Sequence, residues 1–125
     1  MADAAAIASL LDERILVLDG GWGTILQSAG LSPADYRGDI FRDHSRDVTG
    51  DPDVLNLTRP DLILGFHRQY LAAGADITTT NTFTATRIGQ ADYALEAAVP
   101  DVNLAGARLA RLINHDAGLS FLSCS

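Results

Sequence analysis

The sequence has little cysteine, few aromatic side chains, a shortage of positive charge and no long apolar run. Its one cysteine, Cys124, stands in a chain of 125 residues, which excludes a disulfide scaffold and any all-cysteine metal site within a single chain. Nine Lys and Arg face sixteen Asp and Glu, for a formal net charge of −7. A protein that tracks nucleic-acid phosphates needs a basic face, so nucleic acid is not an expected partner. No apolar stretch approaches the ~20 residues needed to cross a bilayer, so no membrane is expected either. The first residues carry no basic group ahead of their apolar stretch and already contain Asp3, unlike a secretory or transit signal. A cytoplasmic protein is the default expectation.

What is present is enough to build a core. Apolar residues make up 47% of the chain and the mean hydropathy is +0.11, outside the range of disordered chains. The length fits one domain of roughly 100–200 residues. It is about half of the ~250 residues that a closed eight-fold α/β barrel requires.

Patterning gives a coarse order of elements. Residues 2–13 read as an Ala-rich helix. The unbroken run Ile15-Leu16-Val17-Leu18, closed by Asp19-Gly20-Gly21, reads as a strand buried on both faces. Residues 24–29 form one or two helical turns stopped by Gly30. Residues 31–57, interrupted by Pro33, Gly38, Gly50, Pro52 and several Asp, read as a long polar loop, a kind of segment that usually carries function. At Thr58-Arg59-Pro60-Asp61 the pattern predicts a capped helix start, followed by Leu62, Ile63, Phe66, Tyr70 and Leu71 at helical spacing and a stop at Gly74. The β-branched stretch 77–83 reads as a second strand, making a right-handed βαβ unit with the first. A short helical piece to Gln90 precedes a last helix holding Pro100 in its first turn, and residues 119–125 could begin a third strand.

In parallel α/β proteins, active residues gather at the carboxyl ends of strands. The first such end, Asp19-Gly20-Gly21-Trp22-Gly23, lets a backbone approach a ligand closely. Asp19 there is either a fixed anion for an ammonium group or the cap of the next helix. The glycine spacing matches neither the dinucleotide fingerprint nor the phosphate loop, which disfavours a nucleotide site. At the second end, Asn81 offers donors and acceptors and Phe83 an apolar wall, or else Phe83 belongs to the core. Asp47, Asp51 and Asp53 fall at positions 1, 5 and 7 of a calcium loop, but Pro52 and Thr58 break that template. His44 and His67 stand alone and suit surface or capping roles. Cys124 has no basic neighbour to activate it.

These segments, in order, resemble the N-terminal part of the homocysteine-binding domain of cobalamin-dependent methionine synthases. The resemblance rests on residues 15–27, 36–44, 47–50, 55–61, 67–77, 80–83 and 91–93, and spans about residues 13–112. It implies a fold class of α/β, a partial (βα)8 barrel limited to its first two βα units with parallel strands. It divides the chain into an N-terminal helix (1–14), the first portion of the barrel domain (15–112) and a divergent tail (113–125). It also implies homocysteine as substrate, methylcobalamin as methyl donor, cobalamin- and folate-binding domains as partners, and a zinc ion held by three cysteines that lowers the thiol pKa. By position, Asp19 corresponds to the anchor of the substrate amino group. Gly20 and Gly21 correspond to the close-approach backbone, and Asn81, Thr82 and Phe83 to the pocket.

The sequence departs from the family at Trp22 (usually Met), at Thr79 (usually Glu), at Pro100 and beyond Leu112. Nothing in it corresponds to the zinc cysteines, so no metal or cofactor is expected to bind this chain alone and no turnover is expected of it. The alternative is a non-catalytic module that binds a small amino acid weakly or needs a partner chain. Open strand edges would then favour self-association.

Overall fold

The computed structural model describes residues 4–117 and 121–123. Helix α1 spans Ala4–Glu13 and buries none of its side chains. Helix α2, Trp22–Ser28, starts from Gly21, whose φ of +66° is left-handed backbone that favours glycine. Helix α3, Pro33–Arg37, is fixed by a capping box in which Ser32 accepts from the Asp35 amide and Asp35 accepts from the Ser32 amide. Helices α4 (Leu55–Thr58) and α5 (Pro60–Ala72) follow almost without a break. After strand β1, Ile77–Thr79, come the single turn α6 (Arg87–Gln90) and two 3-10 turns. The long helix α7, Val99–Ala117, carries Pro100 in its first turn, where a missing N–H costs nothing. Strand β2 is Phe121–Ser123.

Helices therefore dominate, and the expected partial (βα)8 barrel with two βα units is not what the chain forms. The regular strand structure is one three-residue parallel pairing, Ile77 with Phe121 through Thr79 with Ser123. Residues 15–18, expected as a strand buried on both faces, contribute only a single bridge from Leu18 to Ile77. Their side chains explain why: Ile15 is 87% exposed, and Val17 and Leu18 are more than half exposed. No layer among the described residues covers either face, so nothing rewards an extended ladder there. The segment is instead tied to β1 by its backbone. The Asp19 amide donates to Ile77 O at 2.9 Å and the Ile77 amide to Val17 O at 3.1 Å. Arg14 clasps Asp76 with both terminal guanidinium nitrogens, at 2.8 and 2.6 Å, and holds that carboxyl down at about 2. The second expected strand also shortens, because residues beyond Thr79 turn away to bond with the loop before α4.

Two apolar clusters hold the molecule. Leu26, Leu55, Ile63 and Phe66 form the first, where α2, α4 and α5 meet, with Leu109 of α7 against them. Val48, Val54 and Leu95 form the second, covered by Tyr36, Phe41 and Tyr93. The polar segment 31–57 is thus no idle loop: its apolar residues at 48, 54 and 55 are fully buried. Thr58, expected to cap α5, is the last residue of α4 and turns its hydroxyl back to Val54 O, leaving α5 to start at Pro60 without a side-chain cap. Among the described residues no helix is long and apolar enough to cross a membrane. Asn56, in a triplet Asn56-Leu57-Thr58 that fits the glycosylation pattern by accident of sequence, is buried. Cys124 and the expected third-strand residues 119, 120, 124 and 125 lie outside the described residues.

Candidate functional site

The glycine corner before α2 and the segment after β1 enclose a cleft of about 520 Å³, within the usual span for small-molecule sites. Gly21, Trp22, Gly23 and Leu26 supply one wall; Thr79 through Phe83 supply the other; Pro52 and Asp53 close it from the loop. Four of the residues expected from sequence, Gly21, Asn81, Thr82 and Phe83, line this cleft together. Phe83 is 85% exposed, so it stands at the surface and not in the core. Asn81 is held rigidly, donating to Pro52 O at 2.9 Å and to Asn56 Oδ1 at 3.2 Å, while Asn56 donates to Asn81 O at 2.7 Å. Helix α7 passes close behind this network. A Cβ at Gly106 would lie 2.9 Å from both Asn56 Nδ2 and Thr82 Cγ2.

Asp19 and Gly20 do not line the cleft. Asp19 sits one layer below, its side chain fully buried. Its Oδ1 accepts the Thr79 hydroxyl in a short hydrogen bond and the Thr79 amide at 3.0 Å. Its Oδ2 faces His67 Nδ1 at 3.7 Å, beyond hydrogen-bond reach. His67, expected at the surface or in a cap, is instead buried with it, because α5 turns residues 63, 66 and 67 inward beneath Trp22. The Trp22 ring meets His67 edge-on with centroids 4.8 Å apart, and its Nε1–H donates to Thr79 Oγ1 at 3.4 Å. Thr79 is therefore the joint between the buried carboxylate and the indole that walls the cleft.

Sequence reading missed the burial of two acids beside the cleft, of which Asp53 is in its lining. Asp51 and Asp53 are fully buried. The Thr84 amide and hydroxyl donate to Asp53 Oδ2 at 2.6 and 2.9 Å, and burial still pushes its carboxyl up to about 6, with the neighbouring Asp51 charge adding to the rise. Burial likewise raises Asp51, against Gln90 Nε2, which donates to its Oδ1 at 3.2 Å. Asp47, the third member of the failed calcium pattern, is exposed. The signal available was the setting of Asp51-Pro52-Asp53 directly before the apolar Val54-Leu55, which a reading of residues 31–57 as open loop conceals.

The sequence profile of the homocysteine S-methyltransferase family matches residues 16–121. The chain belongs to that family. The match reaches past Leu112, where the resemblance was expected to end. The metallated homocysteine methyltransferase MmuM of Escherichia coli has a similar structure, with a TM-score of 0.67 and 25% sequence identity over 93% of this chain. The alignment covers 39% of MmuM, so the present chain spans about two fifths of its length. Both walls of the cleft and the buried Asp19–His67 pair fall inside the family match.

The family resemblance implies zinc on three thiolates. Among the described residues no group of three or more His, Cys, Asp or Glu side chains could hold a metal ion, and the chain has one cysteine. These residues do not fit that zinc.

Proposed function

We propose that the cleft between the Gly21–Gly23 corner and Thr79–Phe83 receives homocysteine, in a protein that makes methionine by methyl transfer. The observation that carries this reading is the convergence of two separate stretches of the family match, some sixty positions apart, on one cleft sized for an amino acid. Homocysteine has an apolar arm ending in a thiol and a zwitterionic head. Trp22, Leu26 and Phe83 suit the arm; Asp53, Thr79 and Asn81 supply polar groups for the head. What these residues do is bind, orient and exclude water from one side of the thiol.

Methylcobalamin as the donor is supported by the likeness of residues 36–44 to cobalamin-dependent enzymes. A corrinoid ring is far larger than this cleft, so the donor would arrive on other domains. With zinc, homocysteine and methylcobalamin supplied, the 125-residue chain alone is expected to form no methionine. A turnover on the order of 1 s⁻¹ would contradict this.

Trp22, the single tryptophan of the chain, reports on the cleft directly. Titration with L-homocysteine should change its emission saturably, and leucine should not compete. An emission unchanged at millimolar homocysteine, about the weak limit of useful affinity, would overturn the reading.

The exposure of Ile15, Val17 and Leu18 favours one addition: these side chains associate with a second copy of this chain, whether or not the cleft is filled.

A further inference from the structure

We infer that Asp51, Asp53, Thr84 and Gln90 form a proton-operated latch on the loop that closes the cleft, whatever ligand the cleft takes. With one proton bound the latch is complete. Without it the loop carries two buried charges and lets go of the segment after β1. The four residues make a continuous ring. The Asp53 amide and Gln90 Nε2 both donate to Asp51 Oδ1, each at 3.2 Å. Gln90 Nε2 also donates to Thr84 O at 3.3 Å, and the Thr84 amide and hydroxyl donate to Asp53 Oδ2. Asp51, Asp53 and Gln90 are fully buried.

The ring has more acceptors than donors. The Thr84 hydroxyl and the Gln90 side-chain amide, its only side-chain donors, are already engaged. Three oxygens remain, Asp51 Oδ2, Asp53 Oδ1 and Gln90 Oε1, buried and with no hydrogen-bond partner among the described residues. Leaving such oxygens unpaired is costly. A proton on either carboxyl turns an acceptor into a donor and, unlike a water or a cation, needs no cavity.

The surrounding charges leave that role to a proton. The arginines of this stretch are engaged elsewhere: Arg37 on the carbonyls of Phe41, His44 and Arg46, Arg42 on Asp39, and Arg46 on the carbonyls of Ala91 and Asp92. Tyr36 on α3 and Tyr93 on the first 3-10 turn lie in the field of Asp51, and burial first and acidic neighbours second hold both phenols neutral. Asp47 and Asp92 add only negative charge there. Helix α4 brings no ionisable side chain, and Arg87 of α6 and Asp101 of α7 are exposed. Burial accordingly pushes Asp53 up to about 6 and Asp51 in the same direction, so the proton leaves the pair as pH rises through that range. Pro52, between the two acids, accepts from Asn81 Nδ2 and lines the cleft beside Asp53, so a released loop takes one side of the cleft with it.

Hydrogen exchange on the full, ligand-free chain tests the latch, because the Thr84 amide is a member of the ring. Corrected for the intrinsic pH dependence of exchange, its protection should fall about tenfold between about pH 5 and pH 7.5, while the α5 amides keep theirs. Asp53→Asn carries an amide donor in place of the proton and still accepts from Thr84, so its protection should stay level over that range. Asp51→Asn supplies the same donor from the other acid and should also stay level, so a failure of either variant to fold leaves the test intact. Wild-type protection that ignores pH, a fall of wild-type size in a folded variant, or an equal fall across α5 overturns the latch. None of these readings involves homocysteine, so their failure leaves the substrate reading standing.

Discussion

At the scale of single residues, the chemistry of the cleft comes from where charge has been buried. The Asp53 carboxyl, raised from 3.8 to about 6, binds a proton more readily in the folded chain than in the unfolded one. Its contribution to stability is therefore greatest below about pH 4 and declines as pH rises through about 6. Asp53→Asn removes that term. Relative to the wild type it should gain on the order of 2 kcal/mol between pH 4 and pH 7, read from urea midpoints at each pH. A stability difference that stays constant across this range would show that Asp53 is not buried in its charged form. Gly21 is the opposite case, a position defined by what it lacks. Alanine there must adopt a φ of +66° and place its Cβ 2.9 Å from Tyr70 Oη. Gly21→Ala should cost about 1–2 kcal/mol, with a change in Trp22 emission because the adjacent helix start moves; an unchanged urea midpoint would contradict this.

At the scale of elements, the sequence announced its helices and overstated its strands. The spacing of Leu62, Ile63, Phe66 and Tyr70 located α5, and Pro100 fell in the first turn of α7 as expected. Helix signals are local, since caps and periodicity lie within a few residues of each other. Strand signals are only half local. The run 15–18 has the composition of a buried strand, but a ladder needs neighbours, and here the described residues offer it one bridge. The same limit hid Asp53 and His67, whose burial depends on segments thirty and fifty positions away, Thr84 and Asp19. The cleft residues Gly21, Asn81, Thr82 and Phe83 were legible because they sit at chain reversals marked by composition. Caps give a direct test at this scale. Ser32→Ala, which removes the capping box of α3, should cost about 1 kcal/mol. Thr58→Val should cost less than about 0.5 kcal/mol, because that hydroxyl caps nothing and only returns to Val54 O at 3.4 Å. Thermal midpoints of the two variants decide the matter, and equal losses would restore Thr58 as a cap.

At the scale of the whole molecule, membership of the homocysteine S-methyltransferase family and a mainly helical build coexist, because both corners of the cleft lie inside the matched residues and meet without a long sheet between them. The apolar flank at Ile15, Val17 and Leu18 has a physical consequence of its own. Sedimentation velocity should show association that grows with concentration, and Val17→Lys should shift the chain toward monomer. A wild type that remains monomeric throughout would remove the case for a partner on that flank. The central claim, that the two corners form an amino-thiol site, is tested most directly by amide NMR of the labelled chain with and without L-homocysteine. The account predicts shifts concentrated at Gly21, Trp22, Gly23, Asp53 and residues 79–83. Shifts confined to the α3 and α7 surfaces, or none at saturating ligand, would contradict it.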